Sequence, residues 1–238
     1  ANLSRFINHD PVNSNLEYRD GWWTTTRVVE VGGELVADYG EDFFLEDATD
    51  ETTLHTLGVA LYRSAIPVPP GLRDEVDRAS FVKGKPEKVL SKVENGENVY
   101  DPCRLISSNH TAKTKWYKEV TPMIQKFAED HHLLDGDKYL DTETRALKSV
   151  LTQDGSPGEN QVKHADSAPA ESLTDEDPSV VPLAGIFALQ DGTRLGVKPF
   201  GLPWREIVFG KGDVCMLRGD TAHYGVGNAE NVRIHFLV

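Results

Sequence analysis

The spacing of apolar residues changes along this chain. From Thr114 to Leu134, Trp116, Val120, Met123-Ile124, Phe127 and Leu133-Leu134 recur every three or four positions. That spacing lines one face of a helix. Pro122 falls inside the helix and is expected to kink it. His131-His132 cap its last turn, where cations are favoured, and Asp135-Gly136-Asp137 is expected to stop it. Beyond residue 161 the pattern is one of short apolar runs, at 180–189, 195–197, 206–209, 214–217 and 232–238. Between them stand Asp191-Gly192, Gly210-Lys211-Gly212 and Gly225-Val226-Gly227-Asn228. Short strands separated by Gly and Asp turns predict a sandwich or barrel, with the helical first half packed on its outside.

The segments before residue 114 and just after 134 are less regular. Val59–Arg63 reads as a short strand, and Ile66-Pro67-Val68-Pro69-Pro70-Gly71 as a rigid turn, because proline fixes φ and removes a donor. Leu72–Ala79 reads as a short helix. Residues 84–98 are polar and predicted to be loop with a helical turn, and Lys83, Lys85, Lys88 and Lys92 are placed on a solvated face. Ala146–Gln153 fits either a strand or the end of a second helix, and Asp154-Gly155-Ser156-Pro157-Gly158 is turn chemistry.

Composition narrows the function classes. The chain has 238 residues, enough for one large domain or one domain with a small companion. Lys and Arg number 25 against 38 Asp and Glu, a net charge of −13. That argues against a broad nucleic-acid or anionic-membrane surface, which needs clustered cations. The two cysteines make no disulfide framework, and no apolar run approaches the ~20 residues of a membrane span. An intracellular protein, cytoplasmic or nuclear, is the expectation. The first motif begins at once, so the chain reads as a segment of a longer one.

Candidate chemistry gathers in the last quarter. His164-Ala165-Asp166 puts an imidazole and a carboxylate on one side of an extended strand, since strand periodicity is two. Composition alone yields roughly one such pair by chance, so the pair needs company. His223 follows the turn Arg218-Gly219-Asp220, and Arg233 comes ten residues later, on what reads as the return strand of a hairpin. Two histidines and a carboxylate with open positions form the facial triad of non-haem iron sites. A guanidinium beside it can clamp a carboxylate through two parallel hydrogen bonds.

His164-x-Asp166, His223 and Arg233 together resemble the H-x-D…H…R signature of the 2-oxoglutarate- and Fe(II)-dependent oxygenases, over about residues 55–238. The resemblance implies an α+β, mainly β fold: a double-stranded β-helix (jelly-roll, cupin-like) with supporting helices from the first half. It implies that His164, Asp166 and His223 hold Fe(II) and that Arg233 binds the distal carboxylate of 2-oxoglutarate. His235 stands where many members carry Ser or Thr against the same carboxylate. Gln153, Gln161 and Thr193 are possible pocket-wall residues. The implied reaction uses O2 and releases succinate and CO2 while hydroxylating or oxidatively demethylating a substrate, with ascorbate as a possible support. The primary substrate is expected to be a protein or small molecule rather than nucleic acid, with no membrane partner.

The first forty-odd residues resemble something else. Arg5-Phe6-Ile7-Asn8-His9 and Gly33-Glu34-Leu35-Val36-Ala37-Asp38-Tyr39-Gly40 are similar to two motifs in the C-terminal half of SET-domain methyltransferases. Asp10-Pro11 departs from the family's Ser-Cys, and the half with the methyl-donor loop is missing. By that likeness Asn8 and His9 would lie at the donor cofactor and Tyr39 at the transfer channel. The division expected is a SET-C-like strand-rich extension over 1–45, an acidic linker over 46–57 and an oxygenase domain over 58–238. Residues 167–180, acidic and proline-containing, read as a lid after the metal ligands. The alternatives are a cupin-type metal barrel without 2-oxoglutarate, a non-catalytic scaffold and a methyltransferase fragment.

Overall fold

A computed structural model describes residues 8–9, 16–19, 22–28, 36–37, 54, 56–108, 114–134, 144–166, 182–227 and 229–238. Near the N-terminus it has four short strands, β1 (Asn8–His9), β2 (Leu16–Arg19), β3 (Trp22–Thr25) and β4 (Val36–Ala37), in the order β1-β4-β2-β3. Strand β3 ends at Thr25, Val28 is exposed, and residues 29–31 lie outside the described residues. So do Tyr39 and most of the expected linker.

A seven-stranded antiparallel sheet follows. Its strands are β5 (Val59–Tyr62), β6 (Glu87–Glu94), β7 (Glu97–Ile106), β8 (Arg145–Ser149), β9 (Leu183–Ala188), β12 (Val214–Arg218) and β14 (Asn231–Leu237). Their spatial order is β5-β12-β9-β14-β8-β7-β6. A second antiparallel sheet holds β10 (Thr193–Lys198), β11 (Arg205–Phe209) and β13 (Ala222–Gly225), in the order β11-β10-β13. From β9 onward the chain passes back and forth between the sheets, and the two strands that flank β13 in sequence both belong to the larger one.

Side-chain alternation divides the interior into two fillings. On one face of the large sheet Ala60, Tyr62, Phe187, Val214, Met216, Val232, Ile234 and Phe236 join Leu72, Val76, Trp116, Val120, Ile124 and Phe127 in one core. These latter side chains come from α1 (Leu72–Asp77) and α2 (Lys115–Asp130). The helices thus cover the outside of the large sheet, as the sequence suggests. Complete burial of such a side chain contributes about 1.5–3 kcal/mol. Thr114 caps α2, its hydroxyl accepting from Tyr117 N at 3.4 Å. Pro122 is accommodated within the helix, and His131 closes it with its ring against Tyr62 and Phe127. The expected stop at 135–137 lies outside the described residues. On the opposite face Val59, Leu61, Ile186, Ala188, Cys215 and Leu217 meet Leu195, Val197, Ile207 and Phe209 of the small sheet. Back on the helix-covered face, Gly185 leaves room for the Phe236 ring, from which a Cβ would stand only 2.1 Å.

Residues 84–98 are not the loop that their polarity suggests. They form the β6–β7 hairpin, turning at Asn95 (φ 51°) and Gly96 (φ 81°). Asn-Gly with both residues at positive φ is the favoured two-residue hairpin turn. The strands lie at the sheet edge, where exposed Lys and Glu replace the alternation that marks a half-buried strand. Of the stretch 146–153, Ala146–Ser149 is strand rather than helix, in β8 between β7 and β14, and 150–153 lead into a turn. No helix among the described residues is long and apolar enough to cross a membrane.

Candidate metal centre

Three segments converge at the open side of the small sheet. Residues 161–166 run beside β13, joined to it by a single two-way bridge. His164 N donates to His223 O at 3.0 Å and His223 N to His164 O at 2.7 Å. Gln161 extends the pairing: its N donates to Gly225 O at 2.9 Å and its Oε1 accepts from Gly225 N at 3.0 Å. Buried Arg104 clamps the same place, its Nη2 donating to Glu159 O at 3.0 Å and Gly225 O at 2.8 Å. His164 and His223 are therefore cross-strand partners, with ring centroids 4.5 Å apart. Asp166 stands in a bend two residues on, rather than on a continuous strand.

Both imidazoles are oriented by the backbone. His164 Nδ1 lies 2.8 Å from Val162 O, and His223 Nδ1 lies 3.0 Å from Thr221 O. A carbonyl only accepts, so each Nδ1 carries a hydrogen, and in the neutral ring Nε2 is then the nitrogen with the free lone pair. Outer hydrogen bonds of this kind fix the tautomer of metal-ligating histidines. Burial holds the pKa of His223 below its ordinary value, which favours the neutral ligand form. Asp166 reaches both rings, Oδ1 at 4.0 Å from His164 Nε2 and Oδ2 at 3.9 Å from His223 Nε2. One ligand atom from each of the three residues lies within 4.8 Å of the others. Neutral imidazole nitrogens and a carboxylate suit a first-row divalent ion, so the donor set fits.

The turn that delivers His223 is held by an internal ion pair and by a bond to Gly58. Arg218 pairs with Asp220 through two hydrogen bonds, Nε to Oδ1 at 3.0 Å and Nη2 to Oδ2 at 2.8 Å. Thr221 Oγ1 donates to Gly58 O at 2.7 Å. The step from His223 to Arg233 is not a hairpin, because β13 and β14 lie in different sheets. Between β13 and β14 the chain changes layers, and Arg233 then faces inward from the large sheet.

On β14, Asn231, Arg233 and His235 share that inward face. Arg233 is buried, at 5% exposure. Its Nη1 donates to Ser149 Oγ at 3.2 Å and to Asn231 Oδ1 at 3.3 Å, and no described carboxylate lies within ion-pair reach. Burial, reinforced by the charge of Arg104, lowers its pKa to about 10. Half-buried His235 is pushed down to about 4, chiefly by burial, with His223, Arg233 and Arg145 acting in the same direction and Asp166 against. Arg145 is its register partner on β8.

The possible wall residues fall in three different places. Thr193 is fully buried and accepts from Asn231 Nδ2 at 3.1 Å. Gln161 is tied to β13, and Gln153 is exposed in the turn after β8. Trp204 packs on Tyr224 and under the Lys163 ammonium, and Phe200 lies against the Arg218 guanidinium. The lid proposed at 167–180 lies outside the described residues. Sequence reading did not single out Arg104, Arg145, Ser149 or Asn231. Only Asn231 carried a signal, its spacing of two from Arg233.

No family model matches the chain, and no curated protein matches it. Solved structures do. The non-heme alpha ketoglutarate dependent epimerase SnoN from nogalamycin biosynthesis superposes with TM-score 0.55 at 11% identity, over 77% of each chain. HygX from Streptomyces hygroscopicus, with nickel and 2-oxoglutarate bound, gives 0.53 at 12%, over 78% of this chain and 84% of its own. A Pseudomonas putida prolyl-4-hydroxylase gives 0.51 at 12%, over 78% and 95%. At such identities the likeness is one of fold, and this chain shares that fold.

Proposed function

We propose that the protein is a non-haem Fe(II)- and 2-oxoglutarate-dependent oxygenase, built on a double-stranded β-helix. In this reading His164, Asp166 and His223 hold the iron, and Arg233, with His235 beside it, receives the distal carboxylate of 2-oxoglutarate. The observation that carries the reading is the pairing of two features, one at the open side of the small sheet and one between the sheets. A three-residue ligand set has its nitrogens pre-aimed by carbonyls, and a buried guanidinium has no carboxylate partner among the described residues. Burying a cation without a counter-ion is costly, and an incoming carboxylate offsets that cost. The bound ion supplies oxidation by O2, coupled to conversion of 2-oxoglutarate to succinate and CO2. The chain's own residues orient the co-substrate and keep its carboxylate end away from bulk water. HygX, of the same fold, binds nickel and 2-oxoglutarate, in keeping with this assignment. The net charge of −13 favours a protein or small molecule over nucleic acid as the primary substrate.

The test is succinate formation from 2-oxoglutarate by the Fe(II)-loaded protein, alongside calorimetric titration with Mn(II). Turnover and metal uptake should both vanish in His164→Ala and Asp166→Ala. Metal uptake without any binding of 2-oxoglutarate would sink the proposal and favour a cupin-type barrel.

A further inference from the structure

The described residues contain three buried arginines, Arg104, Arg218 and Arg233. Two of them carry their counter-ion within their own stretch of chain. Arg104 pairs with Asp101, three residues before it, and Arg218 pairs with Asp220, two residues after it. Arg233 has a residue at the equivalent distance too. Asn231, two positions away on the same face of β14, touches its guanidinium. The side chain there is the neutral isostere of the aspartate that the other two arginines use.

A chain of hydrogen bonds sets the orientation of that amide. Asn231 Nδ2 donates to Thr193 Oγ1 at 3.1 Å, and Thr193 Oγ1 donates to Gln190 O at 3.3 Å. Thr193 thus holds the amide nitrogen on its own side, and since a guanidinium only donates, the amide oxygen is the atom that faces Arg233. Ser149 Oγ supplies a second neutral acceptor from β8. Both bonds go to one terminal nitrogen, Nη1, and neither cancels the positive charge. Arg104, whose charge bears on the site, adds to the positive field.

We propose that Asn231 is a positioning residue whose neutrality keeps Arg233 available to an incoming carboxylate. It holds the guanidinium in place without neutralising it, and Thr193 enforces its orientation. This rests on the co-substrate reading above and extends it to a determinant of affinity that the metal ligands do not supply.

The experiment compares wild type, Asn231→Asp and Asn231→Ala as Mn(II)-loaded protein, by calorimetric titration with 2-oxoglutarate and by thermal unfolding without it. Asn231→Asp should weaken 2-oxoglutarate binding at least tenfold, leave Mn(II) affinity within about twofold, and unfold no earlier than wild type, because the new carboxylate pairs with the buried guanidinium. Asn231→Ala should weaken binding only a few-fold. A merely structural asparagine gives the reverse order, with Ala worse than Asp, and that order overturns the proposal. So does Asn231→Asp binding 2-oxoglutarate like wild type. Should Asn231→Asp fail to fold, Ser149→Asp brings a carboxylate to the other acceptor and is judged by the same criteria. Wild type that binds no 2-oxoglutarate refutes the co-substrate reading instead. Unfolding then judges Asn231: a lower Tm for Asp than for Ala counts against it, and a higher one supports it.

Discussion

Replacing Arg233 by methionine separates the anchor from the metal site. The side chain is buried and its pKa is lowered to about 10 from 12.5. At 1.36 kcal/mol per pKa unit, that shift is an unfavourable burial of the charged form of roughly 3 kcal/mol. The sign follows from linkage. The folded pKa lies below the unfolded one, so the penalty is fully present at neutral pH and fades only as pH rises past about 10. A bound carboxylate removes much of that penalty and adds charged hydrogen bonds. Truncating one partner of a buried hydrogen-bonded charge pair costs about 2–5 kcal/mol, or roughly 30- to 4,000-fold in Kd. Arg233→Met should therefore lose 2-oxoglutarate affinity on that scale while Mn(II) affinity stays near wild type. The ligand-free protein should lose little stability, because removing the charge offsets the stranded Ser149 and Asn231 groups. Calorimetry on the Mn(II)-loaded protein, with thermal unfolding beside it, reads both quantities. Arg233→Met that binds 2-oxoglutarate within threefold of wild type would refute the assignment of the anchor.

Two further outcomes follow from packing and charge. His235 has a folded pKa of about 4 against 6.5 for the free side chain, so it has no effect on stability above pH 6.5. As pH falls from there toward 4, the unfolded chain takes up a proton that the fold refuses, and stability drops by up to roughly 3 kcal/mol. His235→Gln should flatten that part of a Tm-against-pH profile, and an unchanged slope would show that His235 titrates normally. Gly185→Ala should destabilise by at least about 1–3 kcal/mol in a denaturant titration, because its Cβ would overlap the Phe236 ring; wild-type stability would mean that the ring yields freely.

The sequence by itself determined the pieces that rest on local periodicity and local chemistry. Helix α2 is written in the spacing of Trp116, Val120, Ile124 and Phe127, and the later strands in short apolar runs between Gly turns. His164, Asp166, His223 and Arg233 stood out by residue type and order. The β6–β7 hairpin was signalled by Asn95-Gly96 but hidden by its polarity, since an edge strand wet on both sides needs no alternation. Tertiary structure alone decided which strands share a sheet. Sequence proximity suggested that His223 and Arg233 lie on one hairpin, yet β13 and β14 belong to opposite layers, because burying both faces of the large sheet draws β14 between β9 and β8. That placement brings Ser149 and Asn231 to the guanidinium. Their roles depend on contacts across 84 and two residues of chain respectively, and no local pattern encodes the former. The neutrality of Arg233's surroundings is a property of the assembled interior, visible only once every buried arginine has been matched with its partner.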